Sequence, residues 1–411
     1  MANRRSAREY LAAVRAEVEQ KTTLEQAARS GDPEAALNLG LFWARRKAHD
    51  KARAAYQRAI ESGHPEWAPA AALNLAAMLT EAGDDAAARD AFERGASFGH
   101  QEYSPPAAYN LGVLREKSGD LAGAGAAYRV AADSGHPKWA PLAAAALGHI
   151  LRRAGDLAGA RAAYQHAAGS DQLPRPALVL NPLAVVCRQL GDLDGARAAL
   201  QQAVDTDDPD LARPAASVLG DELRQQGDND GARAAYERAV DHGRPGYPPT
   251  AAYNLGRILE EQGDVAGARS AYRLAVDAGD PRPAELAAWY LAPLLVKADD
   301  LDGAEQAYRL VADAGHSHRA PGAALKLGLL YQQRGRFLQA RVAYQAAIAS
   351  GHPELAPIAM MSLGTILADQ GDLAGARAMF RQAVDSGPRE HARHAARLLA
   401  ELPADTPDRS D

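Results

Sequence analysis

Apolar residues recur along this chain with the spacing of one face of a helix, and short Gly-Asp pairs interrupt them at regular intervals. Leu255, Ile258 and Leu259 are spaced in this way, the pair at 263–264 follows, and the segment 268–276 resumes the helical spacing. A run of this kind predicts a helix, a tight turn and a second helix. The pattern therefore predicts an all-α chain.

The helix-turn-helix unit repeats every 36 residues, and its clearest marker is a leucine followed by Gly or Ala. We call this residue the landmark leucine. Thirteen residues after it stands an alanine, and four further on stands an aromatic residue, replaced only by Leu200 in the fifth repeat. Because nine of the 23 aromatic residues share this position, they are expected to belong to the scaffold. The ten landmarks are Leu39, Leu75, Leu111, Leu147, Leu183, Leu219, Leu255, Leu291, Leu327 and Leu363.

An aspartate stands in the turn of eight repeats, where its carboxylate is expected to accept backbone N–H groups at the start of the second helix. The small residues after the landmarks allow the paired helices to approach closely. Because each pair buries one face only, ten pairs are expected to stack into a solenoid. The turn aspartates are Asp84, Asp120, Asp156, Asp192, Asp228, Asp264, Asp300 and Asp372.

The two ends of the chain depart from the repeat. Residues 4–20 have the pattern of an amphipathic helix, and Thr22 with Glu25 resembles a capping box for a short second helix. The last residues are polar and predicted to be disordered. The predicted divisions are capping helices over 1–32, ten repeats forming one superhelical domain over 33–388, a capping helix over 389–402 and a disordered tail over 403–411.

The repeat resembles the tetratricopeptide repeat over roughly residues 33–388. Its period is two residues longer than that family's, and the link between repeats is similar to that of Sel-one-like repeats. The resemblance implies a right-handed α-solenoid of ten 36-residue helix-turn-helix repeats with capping helices at both ends. The residues that carry it in the seventh repeat are Asn254-Leu255-Gly256, Gly263-Asp264, Ala268, Tyr272 and Ala275.

The resemblance also implies that the first helices of the repeats line a concave groove, in which extended peptides or partner helices bind. An asparagine precedes the landmark at Asn38, Asn74, Asn110 and Asn254. In peptide-binding members of the family this asparagine often bonds the ligand backbone. The alternative is that these side chains serve a neighbouring helix or are solvated.

Arginines stand five residues beyond the landmark in three successive repeats, at Arg152, Arg188 and Arg224, between Glu116 and Glu260 of the flanking repeats. At roughly 10 Å in water their repulsion is only about 0.4 kcal/mol per neighbouring pair, so the column needs no ligand to be tolerated. Because guanidinium forks suit carboxylates and phosphates, the column predicts an acidic or phosphorylated segment across repeats four to six. The alternative is a solvated face, partly paired with the two glutamates.

Two prolines fall inside expected first helices. Asn181 is predicted to cap a shorter helix that restarts at Pro182. Pro293 predicts a kink, and Trp289 just before it suggests either an aromatic pocket or irregular superhelix geometry. The predicted groove residues are Asn38, Asn74, Asn110, Tyr109, Arg152, Arg153, Arg188, Arg224, Tyr253, Asn254, Arg257 and Trp289.

Charge and composition exclude several classes of function. The formal net charge is -6, so no overall basic field recruits nucleic acid or an anionic membrane. Charges within residues 1–20 argue against a signal peptide or membrane helix. The single cysteine, Cys187, fits a reducing compartment, so a cytoplasmic protein is expected. Abundant Ala, Gly, Arg and Asp suggests a GC-rich bacterial gene.

No catalytic, cofactor or metal site is predicted. Histidines recur in the links between repeats, but neighbouring links lie about 10 Å apart in a solenoid, whereas zinc needs ligands at about 2 Å. The string 95–99 matches a nucleophile elbow but ends a helix, and Cys187 stands among apolar residues as a core residue would. The link histidines are His64, His100, His136, His316 and His352.

The sequence therefore predicts a non-catalytic protein that binds a protein or peptide, and specifically an acidic segment, in its groove. Two alternatives stay open: a structural protein that forms homo-oligomers through its ends or convex face, and a regulatory sensor of a small peptide or metabolite. Neither nucleic acid nor a membrane is predicted as a partner. The prediction of function depends largely on the resemblance, because a fold does not fix a function.

Overall fold

The fold consists of helices, as the periodicity predicts. A computed structural model describes residues 2–240, 246–314 and 317–403, with side chains from residue 15 onward. Within these ranges the chain forms 22 helices and no strand. The predicted tail lies outside the described residues apart from its first residue.

The helix bounds follow the predicted register. We call the even-numbered helices α2 to α20 the first helices of the repeats, and the odd-numbered α3 to α21 the second helices. The helices are α1 Ala2–Arg29, α2 Pro33–Ala44, α3 His49–Glu61, α4 Trp67–Glu81, α5 Asp85–Ser97, α6 Ser104–Lys117, α7 Leu121–Ala132, α8 Trp139–Arg153, α9 Leu157–Ala168, α10 Ala177–Gln189, α11 Leu193–Val204, α12 Pro209–Gln225, α13 Asn229–Ala239, α14 Pro249–Glu261, α15 Val265–Asp277, α16 Pro281–Lys297, α17 Leu301–Asp313, α18 Ala320–Gln333, α19 Phe337–Ala349, α20 Leu355–Asp369, α21 Leu373–Ser386 and α22 Arg389–Glu401.

The chain divides into two compact units, Met1–Ala212 and Arg213–Asp411. From α2 to α11 in the first unit and from α14 to α21 in the second, each first helix packs on its own second helix, and that second helix packs on the next first helix. In the second unit α22 packs on α21, as expected of a C-terminal capping helix.

The two helices of a pair are joined by a contact between a glycine and an aromatic ring. In the seventh repeat the ring of Tyr272 lies so close to Gly256 that a Cβ atom there would stand 2.5 Å from the Cδ1 atom of the ring. The same contact joins glycine and ring in six other repeats. In the eighth repeat Ala292 replaces the glycine, and Tyr308 is 6% exposed, whereas the rings that face a glycine are 2% exposed or less. Phe92, beside Ala76 in the second repeat, is 3% exposed, so a glycine after the landmark lets the ring be buried slightly more deeply than an alanine does.

The turn aspartates act as predicted. In each case the carboxylate accepts the backbone N–H three residues on, at 2.8 to 3.2 Å. This bond satisfies a donor that the first turn of a helix would otherwise leave unpaired. The preceding turn residue is usually a glycine with positive φ, such as Gly263 at 81°. Lys47 and Asp299 adopt the same conformation without being glycine, at φ of 57° and 60°.

The prediction of two N-terminal helices is wrong. A single helix, α1, runs over Ala2–Arg29 and packs on α2. Instead of capping a new helix, the hydroxyl groups of Thr22 and Thr23 donate to the carbonyls of Val18 and Glu19 within α1. A threonine that bonds to the preceding turn is compatible with a helix interior, so the local capping signal does not end the helix here.

The prediction that Pro182 restarts a shortened helix is also wrong. Helix α10 runs unbroken from Ala177, and the Asn181 side chain donates from Nδ2 to the carbonyl of Leu211 at 3.4 Å instead of capping. Leu180 and Leu183, on either side of the proline, are both buried and hold the two halves of the helix on one core. Pro293 likewise lies inside an unbroken helix, α16, and the kink there stays a prediction.

The glycine contact predicts opposite effects for two alanine substitutions. Gly256→Ala should lower the free energy of unfolding by about 1–2 kcal/mol, since overpacking against Tyr272 outweighs the gain in helix propensity. Gly125→Ala is the matched control, because a Cβ there meets only Ile150 Cγ2 at 3.5 Å, and it should raise stability by about 0.5–1 kcal/mol. Urea unfolding followed by circular dichroism tests both. Equal shifts would contradict the contact.

The buried tyrosines predict a loss of stability at alkaline pH. Burial raises the pKa of Tyr56 and Tyr344 from 10.0 to about 12, so the folded chain holds these phenol protons more tightly than the unfolded chain. Their contribution is complete below pH 10 and is lost as the pH rises towards about 12. The urea midpoint should fall over this range, and tyrosinate absorbance should appear at higher pH in the folded than in the urea-unfolded chain. Coincident titrations would contradict this.

Candidate functional site

The candidate site lies on the first helices. We define the first-helix face as the positions one and two residues before the landmark and two, five and six residues after it. The scaffold tyrosines reach this face with their hydroxyl groups. Tyr272 donates to Glu260 Oε2 at 2.8 Å, and Tyr128 donates to Glu116 Oε2 at 3.0 Å. The two acidic residues that flank the predicted arginine column are therefore held by the core.

In the second unit an aromatic and cationic group forms around Tyr253, which we call the Tyr253 cluster. It comprises Tyr253, Arg257, Tyr272 and Tyr290. The Tyr253 ring lies 5.9 Å from that of Tyr290, and the Arg257 guanidinium lies 4.9 Å from the Tyr290 ring centroid. Arg257 also donates to the Tyr253 hydroxyl at 3.4 Å, and this bond raises the pKa of Arg257. Tyr290, which the sequence analysis left out of the groove, holds Arg257 in a cation–π contact.

Ion pairs extend from this cluster. Glu261 lies 3.3 Å from Arg257 and 3.5 Å from Arg224, so the two predicted groove arginines of this unit share one carboxylate. Asn254 donates to Asp221 Oδ1 at 2.9 Å, which also accepts the Tyr236 hydroxyl. The structure therefore brings Arg224, Asn254 and Arg257 close to one another through Asp221 and Glu261, two carboxylates that were not among the predicted groove residues.

The first unit carries a similar cluster. The Tyr109 ring lies 5.7 Å from Tyr128 and 5.3 Å from Trp139. Arg153 lies 3.8 Å from Glu116, the acceptor of the Tyr128 hydroxyl. Tyr109 and Arg153 thus lie near each other through Tyr128 and Glu116, and Trp139, which begins helix α8, packs beside Tyr109.

The predicted arginine column is engaged within the fold. Burial raises the pKa of Tyr164, and Arg152, which lies beside its hydroxyl group, partly offsets this rise. Arg188 also interacts with other groups of the chain. Arg224 is paired with Glu261. The column as a binding site for an acidic segment stays a prediction.

The asparagines before the landmark do not share one environment. Asn74 and Asn110 each donate from Nδ2 to the carbonyl four residues earlier in their own helices, at 2.8 and 2.9 Å. Asn38 is exposed on α2. Asn254 reaches the preceding first helix through Asp221. Two of the four amides therefore serve their own helix, while Asn254 serves a neighbouring helix and Asn38 is exposed, as the alternative had it.

A cavity of about 430 Å³ opens beside Trp289. First helices α16, α18 and α20 and the segment before α18 line it, and Trp289 itself lies against Gly322, 3.0 Å from where a Cβ atom would stand. Arg319 and Lys326 lie on its wall. Lys326 occupies the position of the predicted groove asparagines, one residue before the landmark. The lining residues are Trp289, Tyr290, His318, Arg319, Gly322, Leu325, Lys326 and Leu355.

The link histidines have a structural role that the sequence analysis missed. The Nδ1 atom of His136 accepts the backbone N–H groups of Lys138 and Trp139 at 3.1 and 3.2 Å, where α8 begins. His64, His100 and His352 bond to the next first helix in the same way. With Nδ1 accepting, the neutral ring presents its Nε2–H, and His100 Nε2 lies 3.2 Å from Glu66 Oε2. His316 lies outside the described residues.

The remaining chemical candidates fall on structural positions. The thiol of Cys187 is buried, and burial raises its pKa, as expected of a core residue. Ser97, in the string that matches a nucleophile elbow, ends α5 and donates to the carbonyl of Arg94 at 2.8 Å. Over the described ranges, no group of three or more His, Cys, Asp or Glu is arranged to hold a metal ion. Within those same ranges, no helix has the length and apolar character needed to cross a membrane.

Comparison with known proteins agrees with the helical repeat. A family model described as tetratricopeptide repeat matches residues 2–66, 145–212, 218–283 and 325–391. No curated protein sequence matches the chain significantly.

Solved structures resemble the chain at low sequence identity. One is c5321, a protective antigen of uropathogenic Escherichia coli strains with an SLR fold, which is 20% identical over 93% of this chain and 83% of its own, with a TM-score of 0.47. Another is YrrB, a TPR protein described as having an unusual peptide-binding site, which is 19% identical over 49% of this chain and 100% of its own, with a TM-score of 0.38.

The histidine bonds predict a difference between two substitutions of His136. His136→Ala removes the acceptor at the start of α8 and should lower the free energy of unfolding by about 1 kcal/mol. His136→Asn keeps an oxygen that can accept the same N–H groups, so it should retain most of the stability. Urea unfolding of the two variants measures the difference. Equal losses would contradict the bonding role.

Proposed function

We propose that this chain, which belongs to the tetratricopeptide repeat family, binds an acidic segment of a partner protein on the first-helix face of its second unit. Tetratricopeptide repeats are a scaffold typical of protein–protein and peptide interaction, and the family is generally non-catalytic. We further propose that this member has no catalytic activity. A cytoplasmic location and a bacterial source belong to the same proposal and follow from the cysteine content and composition.

The observation that carries the proposal is the charge beside the Trp289 cavity. Among the residues that the structure describes, the side chains of Arg319 and Lys326 have no ion-pair partner, although both line the cavity. Elsewhere on the face, Arg224 and Arg257 share Glu261. Positive charge without an ion-pair partner therefore lies at the cavity, whereas Arg224, the member of the predicted arginine column in this unit, is paired with Glu261.

The chemistry of this cavity suits an acidic peptide. Its volume of about 430 Å³ lies within the range of ordinary ligand pockets. The guanidinium of Arg319 can donate two hydrogen bonds to one carboxylate, and Lys326 adds a second positive charge. Trp289 offers a broad apolar surface for the neighbouring part of the segment.

The other predicted groove residues extend the proposed surface. In the second unit, Tyr253, Asn254 and Arg257 lie on the same first-helix face and present aromatic and amide groups to a segment that leaves the cavity. The groove residues predicted in the first unit are not part of this proposed surface and stay a separate prediction: Asn38, Asn74, Asn110, Tyr109, Arg152, Arg153 and Arg188.

A pull-down from a lysate of the source cells tests the proposal. The bait is the wild-type chain beside the double variant Arg319→Glu/Lys326→Glu, and bound proteins are quantified by mass spectrometry. We expect the wild type to capture a partner whose recovered amount falls at least about tenfold with the double variant. The reason is that both positive side chains proposed to contact its carboxylates become negative. A synthetic peptide with the sequence of the partner's acidic segment should likewise bind the wild type more tightly than the double variant.

The control variant has the same change in net charge as the double variant, but at residues far from the cavity in the sequence. Arg58→Glu/Arg94→Glu reverses two exposed arginines on second helices and should retain the partner. A second comparison is Arg152→Glu/Arg188→Glu/Arg224→Glu. If only this triple variant loses the partner, the acidic segment binds at the arginine column and the cavity proposal is wrong. Retention by every variant would exclude an acidic segment on either site.

A further inference from the structure

The second helix of the ninth repeat, α19, carries apolar side chains where the other repeats do not. Leu338 is 76% exposed and Val342 is 67% exposed, and they stand four residues apart on one face of the helix. The other nine repeats have Ala or Asp in place of Leu338, and Ala, Asp, Ser or Gln in place of Val342. Two large apolar groups are thus added to an outward position of a single repeat.

These two side chains form one wall of a groove. The groove lies between α17 and α19 and has a volume of about 440 Å³. Its floor consists of Ala324, Leu327 and Tyr331 of α18, all buried. It is lined by second helices on both sides, so it is separate from the Trp289 cavity, which the first helices line.

Positive charge is in excess at the end of the groove next to Leu338. Glu305 is only 14% exposed and lies between the guanidinium groups of three arginines. The distances are 2.8 Å to Arg309, 3.2 Å to Arg334 and 2.9 Å to Arg336. Asp302 contributes one more carboxylate, at 2.7 Å from Arg334. Three cations therefore meet two anions beside the apolar wall. A third carboxylate, that of Asp313 at the end of α17, also lines the groove and acts on Arg309, so the excess of positive charge is confined to the end next to Leu338.

The same repeat also lacks the capping carboxylate that eight of the ten turns have. Arg336 stands where eight repeats have an aspartate, and no side chain accepts the N–H groups at the start of α19. A helix start favours negative charge. The three departures of the ninth repeat, at Arg336, Leu338 and Val342, thus favour a partner that brings both apolar side chains and a carboxylate.

We propose that this groove binds an amphipathic helix of another protein, with an apolar face of i, i+4 spacing and an acidic residue at one end. Its apolar side chains would lie between α17 and α19 against Leu338 and Val342. Its carboxylate would meet Arg336 at the start of α19. A second copy of this chain fits less well, because it would bring the same surplus of positive charge to the contact.

Selection from a displayed library tests the proposal. The library encodes helical peptides of about 15 residues, near the length at which isolated helices become stable, with apolar and charged positions randomised. It is selected against the full chain and counter-selected against Leu338→Ala/Val342→Ala. Alanine already occupies both positions in repeats three, four and ten, so this variant is expected to fold, which circular dichroism verifies.

The expected peptides carry apolar residues at i, i+4 and an acidic residue, and their affinity for Leu338→Ala/Val342→Ala falls at least about tenfold. Arg336→Glu should shift the preference to basic peptides. Val130→Ala, a control at another exposed valine (55%) on α7, should change nothing. Arg319→Glu/Lys326→Glu should also leave these peptides bound, which separates this test from that of the first-helix face.

Three results would overturn the proposal. The first is that no peptide prefers the wild type to Leu338→Ala/Val342→Ala. The second is that the enriched peptides are neutral or basic. The third is that light scattering finds an oligomer of the wild type which this variant dissociates, since a second copy would then occupy the groove.

Discussion

The close approach of the two helices in seven of the ten repeats depends on one contact, the packing of a buried aromatic ring against a glycine. In the seventh repeat Tyr272 fills the space that a Cβ atom of Gly256 would occupy. The ring thereby passes between the helices, and its hydroxyl emerges beside Glu260 on the first-helix face. The same contact thus fixes the spacing of the core and the position of a polar group on the surface where binding is proposed. Burial of a large ring also excludes water from the joint between the helices.

Much of this arrangement could be predicted from the sequence because its signals are local and repeated. A turn aspartate such as Asp264 caps the helix that follows it, and spacing within one repeat is enough to identify it. The errors arose where packing overrides a local signal. Thr22 resembles a helix start but lies inside α1, and Pro182 resembles a break but lies between buried leucines. The link histidines were considered only as metal ligands, because the backbone groups that His136 accepts become its neighbours only in the folded turn.

The candidate sites were harder to predict, because each combines residues from more than one repeat. The sequence identified Trp289 as unusual, but the cavity beside it also needs Arg319 and Lys326 from the following repeat. The groove beside Leu338 and Val342 depends on helices of two repeats in the same way. At the groove, Leu338 and Val342 replace small or polar residues of the repeat while the buried positions are kept. Function is therefore proposed where one repeat departs from the others on its surface.

The most direct test of the account is a double-mutant cycle on the ring contact. The variants are Gly256→Ala, Tyr272→Leu and the two combined, which recreates the pairing of Ala184 with Leu200 in the fifth repeat. Unfolding free energies from urea titrations give the coupling between the two positions. The account predicts that the double variant is more stable than the sum of the single losses by about 1 kcal/mol or more, since the smaller side chain relieves the clash. Additive losses would contradict the claim that the ring and the glycine set the helix spacing together.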